Sequence, residues 1–163
     1  MPLKPIPFLL AAIGAFFLTA CAPKQYAKQN SALIVFKTPG FQYADLGFIY
    51  ENQKAIKVEI YSSAQPLMSL EIAEKTVCMS ALKCMSKEAF NQKVLSAYYP
   101  LETLEQIFQG KPIFNQAGLD KKSNGFTQNI ASPNKYDIIY TVLNDEIIFR
   151  DTINQILIKV KKQ

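Results

Sequence analysis

The chain has 163 residues, with 18 lysines and arginines against 13 acids, for a formal net charge of +5. It has no histidine and a single arginine, Arg150. This removes the commonest general base and metal ligand and argues against bidentate reading of phosphate or nucleic acid. No carboxylate pair, phosphate-cradling glycine loop or serine elbow stands out either, so no catalytic residue, metal ligand or cofactor is expected.

The chain opens with one cation, Lys4, and an apolar core from Ile6 to Leu18 without an acidic residue, the composition of a secretory signal. The uncharged run from Pro5 to Cys21 is at the short end for crossing roughly 30 Å of hydrocarbon, and Pro5 and Pro7 interrupt its start. Leu18-Thr19-Ala20-Cys21 has the form of a bacterial lipobox. Residues 1–20 are therefore expected to be a cleaved signal, with Cys21 as the acylated new N-terminus. One acyl chain holds a protein to a bilayer only marginally, whereas two or three hold it stably. Ala22 follows the anchor where enterobacterial lipoproteins retained at the inner membrane carry Asp, which resembles an outer-membrane address. Residues 21–31 are polar and lysine-bearing, and read as a flexible tether.

Residues 32–163 read as one domain. Ala32 to Phe36 is a β-prone run ending at the turn Pro39-Gly40. Phe41 to Tyr50 follows, with Gly47 as a bulge, and then a hairpin loop at Glu51–Lys54. Ile56, Val58 and Ile60 alternate with Lys57 and Glu59. Ser62 to Pro66 is a connection, and Met68, Leu70 and Ile72 alternate again. This is a meander of half-buried antiparallel strands.

The period then changes. Ser86 is placed to cap a helix with Glu88 in its first turn. Phe90, Val94, Ala97 and Tyr98 share one helical face, and Tyr99-Pro100 ends it. A second short helix carries Leu101, Leu104 and Phe108 on one face, with Gly110 just past its end and Pro112 beyond. Asp120 to Asn124 reads as a polar turn. Strands resume with Tyr136, Ile138, Tyr140 and Val142, turn at Asn144-Asp145, return over Glu146–Thr152 and close with Ile156, Ile158 and Val160. Eight or nine strands and two helices give an α+β domain, a curved sheet with helices against its concave face.

Cys78 and Cys84 lie in a near-repeat, Cys-Met-Ser twice. With Cys21 used for lipid they are an even pair in a compartment that permits disulfides. They read as a structural staple at the strand-to-helix corner or as two buried thiols; a redox pair is the outlier.

The run Tyr99-Pro100-Leu101-Glu102-Thr103-Leu104-Glu105-Gln106-Ile107-Phe108-Gln109-Gly110-Lys111-Pro112 is similar to the Pro-Leu-x-x-Leu-x-x-Trp-x-x-Gly-x-Pro stretch of the LolB family, outer-membrane receptors in lipoprotein sorting. Its matching positions are Pro100, Leu101, Leu104, Gly110 and Pro112, with Ile107 where the family has Trp. The closing strands Glu146–Phe149 and Gln155–Val160 resemble the family's terminal hairpin. The resemblance implies a LolA/LolB-like fold, an incomplete, curved antiparallel barrel whose helices cap an apolar concave face. It also implies a membrane-anchored receptor that takes acylated lipoproteins from a periplasmic LolA-type carrier and passes them to the outer membrane. The family relies on an exposed apolar residue in a loop between early strands, and the matching loop here, Ser62–Leu67, offers Pro66 and Leu67. An accessory lipoprotein that braces an envelope complex with the same fold is the alternative.

Overall fold

The computed structural model describes residues 26–80 and 82–163. The expected signal, with Leu18, Thr19 and Ala20, and the lipid-attachment site Cys21 lie outside the described residues.

Six strands come first: β1 (Lys28–Thr38), β2 (Phe41–Glu51), β3 (Ala55–Ser62), β4 (Gln65–Ala73), β5 (Thr76–Met79) and β6 (Leu82–Ser86). Two helices follow, α1 (Lys87–Val94) and α2 (Thr103–Gln109), and then β7 (Leu119–Lys122), β8 (Gly125–Ser132), β9 (Tyr136–Leu143), β10 (Glu146–Asp151) and β11 (Ile156–Lys162). The strands form one antiparallel sheet in the order β6-β5-β4-β3-β2-β1-β11-β10-β9-β8-β7. Each half is a meander of sequence neighbours. The two halves join where β1 pairs with β11, from Ala32↔Lys162 to Lys37↔Leu157. Strands β6 and β7 do not pair, so the sheet stays open, and residues 87–118 carry the chain from one edge to the other.

Alternation decides which face is inside. Ile34 and Phe36, then Ile56, Val58 and Ile60, then Met68, Leu70 and Ile72 are buried on one face, as are Ile147 and Phe149 and the trio Ile156, Ile158 and Val160. The helices cover that same face with Phe90, Leu104, Ile107 and Phe108, all buried in one continuous core. No helix among the described residues is long and apolar enough to cross a membrane.

Several sequence expectations shift. The tether does not extend to residue 31. Lys28–Ser31 already pair with Phe48–Glu51 in β1, and the Ala27 N–H donates to the Glu51 carbonyl at 3.0 Å. β2 is long enough to offer backbone partners beyond the apolar run, and backbone groups take partners whatever their side chains. Gly47 is not a bulge, because the β1–β2 register runs through Ala32↔Gly47 without a break. It serves a close approach instead: a Cβ there would stand 2.1 Å from the Glu59 carbonyl oxygen. The register shifts instead between Ile60 and Tyr61 of β3 and between Val77 and Met79 of β5.

Among the described residues the strand count is eleven rather than eight or nine. The short β5–β6 hairpin, the polar β7 overlapping the expected Asp120–Asn124 turn, and β8 carry little apolar alternation of their own. They form because neighbouring strands supply a ladder. The Ser62–Pro66 connection contracts to a two-residue turn, with Ser63 and Ala64 both at positive φ (50° and 64°), the geometry that suits hairpin twist. Helix α1 stops at Val94. Ala97 and Tyr98 therefore lie past its end rather than on its buried face, and Tyr98 is 57% exposed.

Candidate functional site

The feature that distinguishes this sheet is the segment over its buried face, residues 87–118, and the side chains that hold it there. The Ser86 side chain accepts from the Ala89 N–H at 3.2 Å, and Glu88 sits in the first turn, where a negative charge suits the helix dipole. Lys87, nearly buried, reaches Glu105 of α2 at 2.8 Å and so ties the two helices together. From within α1, the Asn91 side-chain amide donates to the carbonyls of Tyr99 (3.1 Å) and Pro100 (3.3 Å) past its end. That folds the chain back and accounts for the early end of the helix.

Tyr99 is the first fixed point on the sheet. Its ring is buried and packs edge-on against Phe114, Tyr136 and Phe149 at centroid distances of 5.7, 6.3 and 5.9 Å. Its hydroxyl donates to Asp151 at the end of β10. Asp151 is 1% exposed and also accepts from the N–H groups of Asp137 (3.1 Å), Ile153 (2.9 Å) and Asn154 (3.2 Å) and from the Asn154 amide (2.7 Å). Burial, and then the hydrogen bond and the charge of Asp151, push the Tyr99 phenol far above its ordinary range.

Helix α2 follows. Leu104, Ile107 and Phe108 are buried, with the Phe108 ring 6.3 Å from that of Phe36 in β1. Of the family-like motif, Leu104 faces the core as expected, while Leu101 is 38% exposed and Ile107 takes its place inside. Gly110 ends the helix at φ 67°. The Gly110 N–H bonds to the Ile107 carbonyl (3.0 Å) and the Lys111 N–H to the Gln106 carbonyl (2.9 Å), a Schellman stop that needs the left-handed conformation. Pro100 and Pro112 flank the helix, half-buried.

The second fixed point is Gln128 of β8, fully buried. Its carbonyl accepts from the Ile113 N–H at 2.8 Å, and its amide donates to the carbonyls of Ile113 (3.0 Å) and Ala117 (2.8 Å). Between those residues, Phe114, Asn115 and Gln116 all have positive φ (49°, 51° and 65°), a left-handed turn that L-residues resist by about 1–2 kcal/mol each. Tyr140 adds a third tie, its hydroxyl donating to the Lys111 carbonyl at 3.1 Å, and burial raises its pKa.

Sequence reading missed Tyr99, Asp151 and Gln128. The signal was parity: Asp151 continues the inward series Ile147, Phe149, and Gln128 precedes Ile130 in the same phase. A polar side chain on an inward position needs a buried partner, but the partner itself comes from a distant part of the chain.

Pro66 and Leu67 belong to the start of β4, not to a loop. Both are exposed, Leu67 at 48%. Cys78 and Cys84 face each other across β5 and β6 and are joined by a disulfide, their Cα atoms 4.0 Å apart. The staple thus lies within the β5–β6 hairpin, the last before the helices, two residues before the α1 cap. A groove of about 260 Å³ lies between the β1–β2 turn and the end of α1, lined by Thr38, Phe41, Leu82, Val94 and Leu95 among others. Phe41 and Leu82 pack against the core from there.

No family model matches the sequence, and neither does any curated protein.

Proposed function

We propose that this chain is a lipid-anchored envelope protein. It would be held at the periplasmic side of the outer membrane through Cys21 and receive the acyl chains of lipidated proteins from a periplasmic carrier. In this reading the open sheet curls into an incomplete barrel of the LolA/LolB type. The observation that carries the reading is the 87–118 bridge. It spans the gap between β6 and β7 and covers an apolar face, yet it contributes no strand to the sheet. It can therefore lift without breaking the strand ladder.

Magnitudes allow the exchange. Uncovering Phe90, Leu104, Ile107 and Phe108 costs about 6–12 kcal/mol, taking about 1.5–3 kcal/mol per side chain, and releasing the buried ties of Tyr99 and Gln128 adds about 1–3 kcal/mol for each group left unpaired. Burying one acyl chain of about fifteen methylenes returns about 12 kcal/mol at roughly 0.8 kcal/mol each. One chain falls short of that sum, and two or three are needed to favour the loaded state. The groove beside Phe41 and Leu82 gives a point of entry at the rim.

A second reading is favoured by the packing itself. Phe36, Tyr140 and Phe149 have no exposed surface, so the inward positions are filled. A filled sheet suits an accessory lipoprotein that braces an envelope complex and holds no lipid.

Native mass spectrometry of the chain beginning at Lys24, with and without a lipidated peptide, separates the two. Stoichiometric capture of the acylated species is the result expected for the receptor. A domain that stays empty at saturating lipopeptide would overturn it in favour of the accessory role.

A further inference from the structure

The face of β1–β3 turned away from the helices carries an apolar surface that the buried core does not explain. Leu33 and Leu46 stand directly opposite each other in the β1–β2 register and are 38% and 53% exposed. Phe48 and Tyr50 continue the same face of β2, and Tyr61 of β3 closes it, with the Phe48 ring 6.1 Å from that of Tyr50 and 5.8 Å from that of Tyr61. Tyr26 extends the row, its ring 5.6 Å from that of Tyr50.

The charges among these rings are matched locally. Lys57 and Glu59 lie 2.6 Å apart, and the Tyr61 hydroxyl donates to Glu59 at 2.9 Å. Lys57 also stands over the Tyr50 ring at 5.7 Å. The result is a row of apolar bodies with polar tips, the side-chain chemistry that favours the boundary between hydrocarbon and water.

We infer that this face docks on the headgroup layer of a lipid bilayer. The inference rests on acylation of Cys21, and chain length then selects the occupant. Tyr26 lies five positions after Cys21, and five residue steps span at most about 18 Å when extended. An acylated Cys21 therefore holds the bilayer within reach of Tyr26, at one end of the row. From Tyr50 to Leu46 the row runs only about 14 Å further along β2. The anchor and the row engage one membrane, and the helical bridge faces away from it, open to an incoming carrier.

The chain has no tryptophan, so a single introduced one reports unambiguously. The test uses the full lipidated protein in vesicles of phosphatidylcholine and phosphatidylglycerol, with and without brominated acyl chains. Leu46→Trp is compared with Leu101→Trp on the bridge; both positions are exposed, so neither change disturbs the core. The expected result is that Leu46→Trp loses most of its emission to the brominated lipid while Leu101→Trp keeps its own. Adding Phe48→Glu to Leu46→Trp should restore more than half of the lost emission. Equal quenching at both positions, or none at Leu46, overturns the docking. Blue-shifted Leu46→Trp emission that brominated lipid does not quench assigns the face to a second copy or another protein, and also overturns it. The mass of the protein reports separately on the anchor: a Cys21 without acyl chains would sink the reading on which the inference rests, whatever the fluorescence shows.

Discussion

The Tyr99 hydroxyl donates to Asp151 across 52 residues of sequence, and this bond joins the helical bridge to the end of β10. Tyr99→Phe keeps the ring packing and removes the donor. A hydrogen bond to a charged group contributes about 1.5–3 kcal/mol, and the unfolding free energy in urea should fall by that amount. Asp151→Ala should cost more, since it also strips the acceptor from the N–H groups of Asp137, Ile153 and Asn154. Equal stability of wild type and Tyr99→Phe would show that the bond does not hold the bridge.

Gln128 is the second anchor. Gln128→Leu fits the buried volume but leaves the Ile113 N–H and the carbonyls of Ile113 and Ala117 without their partner. Each buried group left unsatisfied costs about 1–3 kcal/mol, and the left-handed turn at Phe114–Gln116 loses its clamp. Hydrogen exchange should rise first in residues 111–118, ahead of the β1–β4 strands. Uniform exchange across the molecule would contradict a local role.

Stability should fall at both ends of the pH scale. Tyr99, Tyr140, Tyr50 and Tyr61 all have raised pKa values, the first three through burial before any other cause and Tyr61 chiefly through its bond to Glu59. Groups that hold their protons more tightly when folded stabilise fully below the unfolded value, about 10 for tyrosine, and lose that contribution above it. At the acid end, burial pushes Glu59 up, but the hydrogen bonds from Lys57 and Tyr61 outweigh it, and the net shift is downward. Its contribution is present above the unfolded value of about 4.3 and is lost as pH falls through the lower folded value. Glu59→Gln should flatten the acid limb of a stability–pH curve and also remove the Tyr61 share of the alkaline limb, while the shares of Tyr99 and Tyr140 stay in place.

The Cys78–Cys84 bond closes a short hairpin. Unfolded, unreduced protein should show no thiol reactivity at either position, and two equivalents should appear after reduction. Cys78→Ser with Cys84→Ser should loosen β5–β6 and the start of α1 more than the β1·β11 seam. Thiols that react before reduction would remove the staple.

Much of the sheet is legible along the chain because half-buried strands write their facing as alternation. Ile56, Val58 and Ile60, or Ile156, Ile158 and Val160, can be assigned to one face without coordinates. Helix grammar is local as well, so Ser86 as cap and Gly110 as stop follow from residue chemistry over a few positions. Strands such as Leu119–Lys122 are not legible, since their order comes from a neighbour's backbone and not from their own side chains.

The sequence by itself therefore determined the antiparallel meanders, the Ser86 cap, the Gly110 stop and the even cysteine pair. Each of these depends on interactions within a few residues or on a simple period. Only the tertiary structure decided that β1 meets β11, that the sheet stays open between β6 and β7, and that Tyr99 and Gln128 hold the bridge. It alone decided, too, that Leu33, Leu46, Phe48 and Tyr61 form one surface. Those relationships join residues far apart in the chain. Their cost is loop-closure entropy and their gain is burial of specific partners, and neither is recorded in local periodicity.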